Sequence, residues 1–243
     1  MTSRRPPDRG VLPTGTEKTA RVRAMFDAIA PRYDLVNRLI TLGLDQPWRR
    51  RTVRALALPP EALVLDLACG TGALSTIARS AGYRVVGADM SWGMLSGRQE
   101  PGPLVQSDAS ELAFATASFD GIVCGYALRN FTDLGAAFRE AARVLRPGGR
   151  ISLLEVATPP NPVLRAGHAV WFRHVVPRIG GAFSDAAAYR YLPESAAYLP
   201  PDTQLRRMLR DAGFSTVGRQ LLHGGLSQVL TATRAGLGSA GAP

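Results

Sequence analysis

The sequence predicts an α/β fold: a mainly parallel sheet of seven strands, helices on both faces and an antiparallel strand at one edge. From Ala62 onward, short apolar runs alternate with helical stretches, the rhythm of parallel βαβ units. The first run leads into a glycine-rich turn, and aspartates stand at or beside the ends of the first three. The last two runs follow each other with no helix between them, as the strands of a hairpin do.

Residues 1–17, rich in Arg, Pro and Gly, are expected to form a flexible tail, and residues 236–243 another. Between them, 18–235 reads as a single domain. Its opening part, 18–56, has a helical pattern in which Met25, Phe26, Ile29 and Ala30 share a face, and reads as an N-terminal helical lid. Pro31 and Pro47 are expected to punctuate it into short helices. Ala62 to Leu67 is the first strand, Ala73 to Ala81 a helix, and Arg84 to Asp89 the second strand. Pro103 to Asp108 and Phe119 to Gly125 are the third and fourth strands. Leu134 to Leu145 is a helix stopped by Pro147-Gly148-Gly149, and Arg150 to Val156 is the fifth strand. Residues 159–200 break the rhythm with prolines and the aromatics Trp171, Phe172, Phe183, Tyr189, Tyr191 and Tyr198; they read as an insertion near the substrate. A helix from Asp202 to Ala212 and two strands, near Phe214 to Leu222 and Leu226 to Thr233, complete the chain.

The bulk properties narrow the function classes. Apolar residues at 46% and charged residues at 20% suit a packed core rather than disorder. No run approaches the roughly 18–20 apolar residues of a membrane span, and the start lacks a signal-peptide core, so a cytoplasmic protein is expected. Cys69 and Cys124 each lie inside an apolar run, which reads as two buried thiols and no metal site. The net charge of +10 rests on arginine, since Lys18 is the only lysine. Such a balance attracts nucleic acid, anionic lipid or an acidic substrate, or simply reflects a preference for arginine codons. The arginines are spread along the chain instead of clustering with aromatics, so no nucleic-acid partner is expected.

The chemistry concentrates at strand ends, where open parallel sheets bind ligands. After Asp66, the turn Ala68-Cys69-Gly70-Thr71-Gly72 lets the backbone bend tightly and approach a ligand. Amides at the following helix start favour an anion, such as the carboxylate of S-adenosylmethionine. Asp66 lies nearby, suited either to that cofactor's ammonium or to organising the turn. Asp89, at the end of the second strand, is suited to accept hydrogen bonds from two ribose hydroxyls. Asp108, at the end of the third, is placed to accept from an adenine amino group. For each of these acids the plainer alternative is a helix cap.

The pattern excludes several relatives of this Rossmann-like arrangement. A nicotinamide site wants Gly-x-Gly-x-x-Gly, but here Ser75 stands at the third glycine's place, and no Tyr-x-x-x-Lys pair exists. No Gly-Lys-Ser/Thr occurs for a P-loop. Cys124-Gly125-Tyr126-Ala127-Leu128-Arg129-Asn130 is not the Asn/Asp-Pro-Pro-Tyr/Trp motif of amino-methylating DNA enzymes. Neither cysteine follows a proline, as the nucleophile of cytosine C-methylases does.

Ala30-Pro31-Arg32-Tyr33-Asp34-Leu35-Val36-Asn37, with Gly43 and Trp48-Arg49, resembles the first signature of the menaquinone/ubiquinone C-methyltransferase family. Ala127 to Asp133 resembles its Gly-Leu-Arg-Asn element, and Arg143 to Arg150 with Glu155 its second signature. Val176 to Gly180 and Tyr189 to Ser195 resemble its insertion. The resemblance implies the class I methyltransferase fold and S-adenosylmethionine as cofactor. It implies cofactor contacts at Thr71, Asp89, Asp108 and Ala109, beside the glycines Gly70 and Gly72. It further implies methyl transfer to a ring carbon of a polyprenylated quinol such as demethylmenaquinol.

The sequence also departs from the family's pattern. Thr41 stands for the usual Ser, Asp45 for His, Arg146 for Lys, Ala157 for Ser, Cys69 for a turn glycine and Gly125 for a frequent Ser. The usual His-Arg-Gly-Tyr-Lys ending is missing. Another quinol, phenol or secondary metabolite is the alternative acceptor, and a catalytically silent cofactor-binding or assembly protein the alternative of another class.

Methylation of a quinol carbon is aided by a base that takes a hydroxyl proton and a cation that steadies the phenolate. His174 and Asp34 are the candidate bases and Arg129 the candidate cation. His174 reads equally as a packing residue, and Arg129 as a structural partner of Glu155 or Asp133. Tyr33 and Trp48 read as a lid over the cofactor or as core aromatics. The insertion reads as an apolar slot for a prenyl chain or as ordinary packing. A prenylated acceptor would bring the enzyme to the membrane surface, where arginines meet anionic lipid.

Overall fold

The computed structural model describes residues 15–98, 101–183, 195 and 198–236. Its seven strands are β1 (Leu63–Leu67), β2 (Arg84–Asp89), β3 (Leu104–Gln106), β4 (Phe119–Gly125), β5 (Leu145–Val156), β6 (Phe214–Leu222) and β7 (Ser227–Arg234). They form one sheet in the order β3-β2-β1-β4-β5-β7-β6. Neighbours from β3 to β5 are parallel, whereas β7 runs antiparallel to both β5 and β6. The expected hairpin therefore folds with its second strand inward: β7 docks on β5 and β6 becomes the edge.

Alternation along β1 shows why both faces need helices. Leu65 and Leu67 enter the larger core with Phe138, Ala141, Leu205 and Leu209, which come from α6 (Leu134–Val144) and α9 (Asp202–Asp211). Val64 points the other way and packs with Val53, Leu74 and Ala78 from α3 (Asp45–Ala55) and α4 (Ala73–Ser80). A strand covered on both sides buries each of these side chains, and full burial of one Leu or Val is worth about 1.5–3 kcal/mol. Both cysteines are buried in this interior, where desolvation pushes their thiols up and keeps them protonated.

The N-terminal lid consists of α1 (Gly15–Ile29), a 3-10 turn at Ala30–Arg32 and α2 (Tyr33–Ile40), followed by α3. The first helix starts at Gly15, three residues inside the expected tail; the rest of both tails, 1–14 and 237–243, lies outside the described residues. Pro31 falls in the 3-10 turn, as expected of a breaker. Pro47 does not interrupt: it is the third residue of α3, in the first turn, where an amide has no intrahelical acceptor to lose. The helix α5 (Trp92–Ser96) is capped by Ser91, whose Oγ accepts from the Met94 amide. Helix α6 ends at Val144 and the chain enters β5 directly at Leu145, ahead of the Pro147-Gly148-Gly149 turn expected to stop it.

The insertion folds as α7 (Pro162–Val170), a π-helical turn (Trp171–Val175) and α8 (Val176–Phe183). Its stretch 184–194, with Tyr189 and Tyr191, lies outside the described residues. Among the described residues, no helix is long and apolar enough to cross a membrane.

Candidate active site

The turn after β1 is built by backbone conformation. Ala68, Gly70 and Gly72 all have positive φ, at 54°, 53° and 91°. Cys69, between two of them, is absent from the positive-φ residues, which is why this position accepts a side chain where a glycine is usual. Its amide donates to Ala88 O at 3.0 Å, and the Gly72 amide donates to Cys69 O at 2.9 Å. Gly72 then caps α4 in the left-handed conformation.

Asp89 fastens this turn to the end of β2. Its Oδ2 accepts from the Gly70 amide and its Oδ1 from the Ser91 amide, both at 2.8 Å. Burial raises its carboxyl above the ordinary range, opposed by these amides. Asp66 is wholly buried, accepting from the Ser75 hydroxyl at 2.6 Å, and its Oδ1 has no partner. This bond ties the end of β1 to α4, the helix that follows the turn. Desolvation pushes its carboxyl up to about 6.

Asp108 lies two residues past β3 and is exposed; its Oδ1 accepts from the amide and hydroxyl of Ser110 at 2.8 and 2.6 Å. The next residue, Ala109, is buried. Asp108 and Ser110 border an open groove of about 740 Å³ whose opposite wall is α1, with Thr19, Arg23 and Asp27. Asp27 holds α1 against the end of β2 by accepting from Ser91 Oγ at 2.6 Å and the Gly93 amide at 2.8 Å. The groove thus offers carboxylates and hydroxyls, and its wall residue Asp27 is bonded to the segment that follows Asp89 at the end of β2. That donor set fits S-adenosylmethionine, which brings an adenine amino group, ribose hydroxyls and an ammonium.

A second cavity, of about 350 Å³, lies under the lid. Its walls are largely apolar, with Ile40, Leu44, Trp48, Tyr126, Trp171 and Phe172 among them. Tyr33 and Trp48 are therefore wall residues. Trp48 Nε1 donates to His223 Nδ1 at 2.7 Å, which fixes the indole. Trp171 Nε1 donates to Ile40 O at 3.1 Å and ties the insertion to α2.

The polar groups of this cavity are mostly committed to one another. Arg129, in the 3-10 turn after β4, pairs through Nη1 with Glu155 and donates from Nε to Ser195 Oγ at 3.1 Å. Glu155 is fully buried on β5, so Arg129 has the structural partner expected of it and still reaches the cavity wall. Asp133, the other partner considered, caps α6 instead. Lys18 Nζ donates to the carbonyls of Arg129 and Phe131 at 3.2 and 2.8 Å and lies 3.9 Å from the Tyr198 ring centre, binding α1 to the same turn. Burial lowers its ammonium below the ordinary lysine range. Asp45 accepts from Thr41 Oγ1 at 3.1 Å, Gln46 Nε2 at 3.1 Å and Arg49 Nε at 3.4 Å. Tyr126 Oη lies 3.0 Å from Ser227 Oγ, and burial pushes its phenol up.

The structure does not bring all the expected catalytic residues together. Asp34 faces the glycine turn, accepting from Thr71 Oγ1 at 3.0 Å, and is not on the cavity wall. His174 is exposed in the π-helical turn and is not on that wall either. His168 is on it, and sequence reasoning passed over it. The signal was present: Leu164, Gly167, His168 and Trp171 recur at helical spacing and all four line the cavity.

Comparison with known proteins adds relatives to this geometry. The model of the ubiE/COQ5 methyltransferase family matches residues 14–234. A demethylmenaquinone methyltransferase of Roseiflexus sp. (strain RS-1) is 42% identical over 93% of this chain and 98% of its own length. A ubiquinone/menaquinone biosynthesis C-methyltransferase of Syntrophotalea carbinolica is 40% identical over 87% and 93%. Among solved structures, a SAM-dependent methyltransferase from Thermotoga maritima matches with a TM-score of 0.62 at 17% identity, over 88% of this chain and 99% of that one. A phosphoethanolamine N-methyltransferase from Haemonchus contortus, bound to S-adenosyl-L-methionine, matches with a TM-score of 0.55 at 15% identity, over 76% and 52%. These two likenesses concern the fold.

Proposed function

The chain belongs to the ubiE/COQ5 methyltransferase family, and from that premise we propose that it methylates a ring carbon of a polyprenylated quinol such as demethylmenaquinol. It is an S-adenosylmethionine-dependent methyltransferase. The observation that carries the acceptor reading is the apolar cavity of about 350 Å³ with an arginine on its wall; its wall residue Tyr33 is next in the chain to Asp34, which bonds Thr71 of the cofactor turn. The names of the relatives agree with it.

In this reading Gly70, Thr71, Gly72 and Asp89 hold the cofactor's amino-acid and ribose parts, and Asp108 and Ala109 its adenine. When bound, the cofactor supplies a methyl on a sulfonium, whose S–C bond breaks with its electron pair left on sulfur. The chain's own task is to align the acceptor carbon and keep water out, and near-attack placement alone can supply about 7–11 kcal/mol of the barrier. Arg129 steadies the negative charge that develops on the quinol oxygen. Its ion pair with Glu155 holds the guanidinium in place before the acceptor arrives.

The test is turnover with methyl-labelled S-adenosylmethionine and chemically reduced demethylmenaquinone. Label on the naphthoquinol ring carbon is the expected result, and no labelled naphthoquinol under conditions where the cofactor binds would overturn the reading. Thr41 and Asp45 favour a second acceptor, another quinol or phenol. Both depart from the family's first signature, and both line the cavity. A panel of benzoquinols and simple phenols in the same assay decides between them.

The same reading brings the enzyme to a membrane surface. Leu42 is 72% exposed and Val163 78% exposed, and both belong to the cavity's rim. The exposed Arg38 stands near the end of α2, four residues before Leu42, and the exposed Arg165 is on α7 with Val163. Such a rim admits a prenyl tail from the bilayer while arginines meet anionic headgroups. Flotation with phosphatidylglycerol vesicles is expected to carry the protein, and Leu42→Asp with Val163→Asp to reduce this at least about tenfold. Wild-type protein that stays at the bottom of the gradient contradicts the membrane placement.

A further inference from the structure

We propose that His168 is the acceptor-binding base of this enzyme: it accepts the hydrogen bond of the quinol hydroxyl in the apolar cavity and takes its proton. The inference rests on reading that cavity as the acceptor site.

A base that serves this acceptor meets three demands. It must border the cavity, be able to accept a proton, and not be engaged by another donor. Arg49 and Arg129 border it, but a guanidinium donates and has no acceptor. Tyr33 and Tyr126 have phenols, and that of Tyr126 is shared with Ser227 and pushed up by burial. Asp45 is a carboxylate, but Thr41, Gln46 and Arg49 already donate to its two oxygens. Glu155 sits behind Arg129, fully buried and paired with it. Asp34, on the turn side of α2, and His174 do not border the cavity.

His168 meets each condition. Its ring packs against Phe172, tilted by 48° with centroids 4.5 Å apart, which keeps the imidazole in the wall. Its Nε2 is shielded from solvent and has no hydrogen-bond partner, a state that a buried polar atom rarely keeps. Burial lowers its pKa from the ordinary 6.5, which keeps the ring neutral and able to accept at neutral pH. No residue of α7 is buried, so the ring is not locked by the main core. A turn about Cβ–Cγ then moves Nε2 between the packed side and the cavity. A quinol hydroxyl supplies the partner that this nitrogen lacks.

The proton step balances simply. The O–H bond breaks, its electron pair stays on oxygen as phenolate, and the proton forms an N–H bond at Nε2. The imidazolium later releases that proton to water. Arg129, from the turn after β4, is a positive group on the same wall and favours the phenolate over the phenol.

The experiment uses the full chain with saturating S-adenosylmethionine and dithionite-reduced demethylmenaquinone. His168→Phe should lower kcat about 100-fold, the lower range for a lost general base. His168→Gln keeps a hydrogen-bond acceptor but not a base. It should retain quinone binding, read by quenching of Trp48 and Trp171 fluorescence, within about threefold while losing kcat. The wild-type rate should fall as pH drops through the His168 pKa, below 6.5, and this acid limb should vanish in His168→Gln. Unchanged cofactor affinity by calorimetry shows that both variants are folded. A His168→Phe enzyme within threefold of wild-type kcat, or an acid limb that persists in His168→Gln, overturns the assignment of the base alone. Wild-type protein that binds the cofactor but turns over no naphthoquinol overturns the acceptor reading, and the base falls with it.

Discussion

The two ends of the active site are made in opposite ways. At the cofactor end the backbone does the work: five consecutive residues, 68–72, bend through three positive-φ positions, and one carboxylate, Asp89, clamps the Gly70 amide among them. At the acceptor end side chains do it. Tyr33, Trp48, Arg129, His168 and Leu226 come from remote parts of the chain and meet around one apolar space. A backbone-built site tolerates changes of side chain, as Cys69 shows, but not of conformation. A side-chain-built cavity is retuned by single substitutions, as Thr41 and Asp45 on its wall illustrate.

The largest effect that can test this contrast lies at the acceptor end. Glu155→Leu leaves the Arg129 guanidinium buried and unpaired, which should cost about 3–5 kcal/mol of stability. Glu155→Gln, which can still accept from Arg129, should cost less. Chemical denaturation measures both, and a Glu155→Leu loss below about 1 kcal/mol would mean the pair behaves like a surface salt bridge.

The next effect belongs to the cofactor end and is read through pH. Asp66 has a folded pKa near 6 against an ordinary 3.8, so the folded state holds its proton more tightly than the unfolded one. Stability from this group is therefore present below about pH 4 and is lost as pH rises toward about 6, by at most roughly 3 kcal/mol. Asp66→Asn should flatten that part of the stability profile. A wild-type profile that rises across the same window, and does so unchanged in Asp66→Asn, contradicts the account.

A smaller effect probes how tightly the turn packs. A Cβ at Gly87 on β2 would lie 2.7 Å from Arg98 Nη1, 2.9 Å from Cys69 Sγ and 2.9 Å from Leu104 Cδ2. Gly87→Ala should cost about 1–2 kcal/mol, an ordinary overpacking penalty. Adding Cys69→Gly should return part of it, because the two sites share a contact. Strict additivity of the two changes in thermal denaturation would show that they do not touch.

The same contrast explains what was legible in the sequence. The strands, the glycine turn and the acids Asp66, Asp89 and Asp108 are local features with a fixed period or spacing, and they stand where the pattern puts them. Limits slipped only where neighbouring elements decide them. Leu145 joins β5 because it pairs with Phe119, although the helical pattern carried through it. The cavity was far less legible, since periodicity does not say which remote faces will meet. Arg129 was found through its motif. His174 was singled out and His168 was not, although the two are six residues apart, more than one and a half helical turns. The Leu164–Gly167–His168–Trp171 spacing identified the cavity-facing side, but only a known cavity gives that spacing its meaning.

The most direct test of the central claim is a pair of titrations on Asp89→Ala, with S-adenosylhomocysteine by calorimetry and with oxidised demethylmenaquinone by tryptophan quenching. The account predicts that cofactor affinity falls at least about 100-fold, the loss expected when a buried carboxylate releases two amides. Quinone affinity should stay within about threefold of wild type, because Asp89 does not line the cavity. Unchanged cofactor affinity, or equal loss of both ligands, would contradict a site made of two separately built ends.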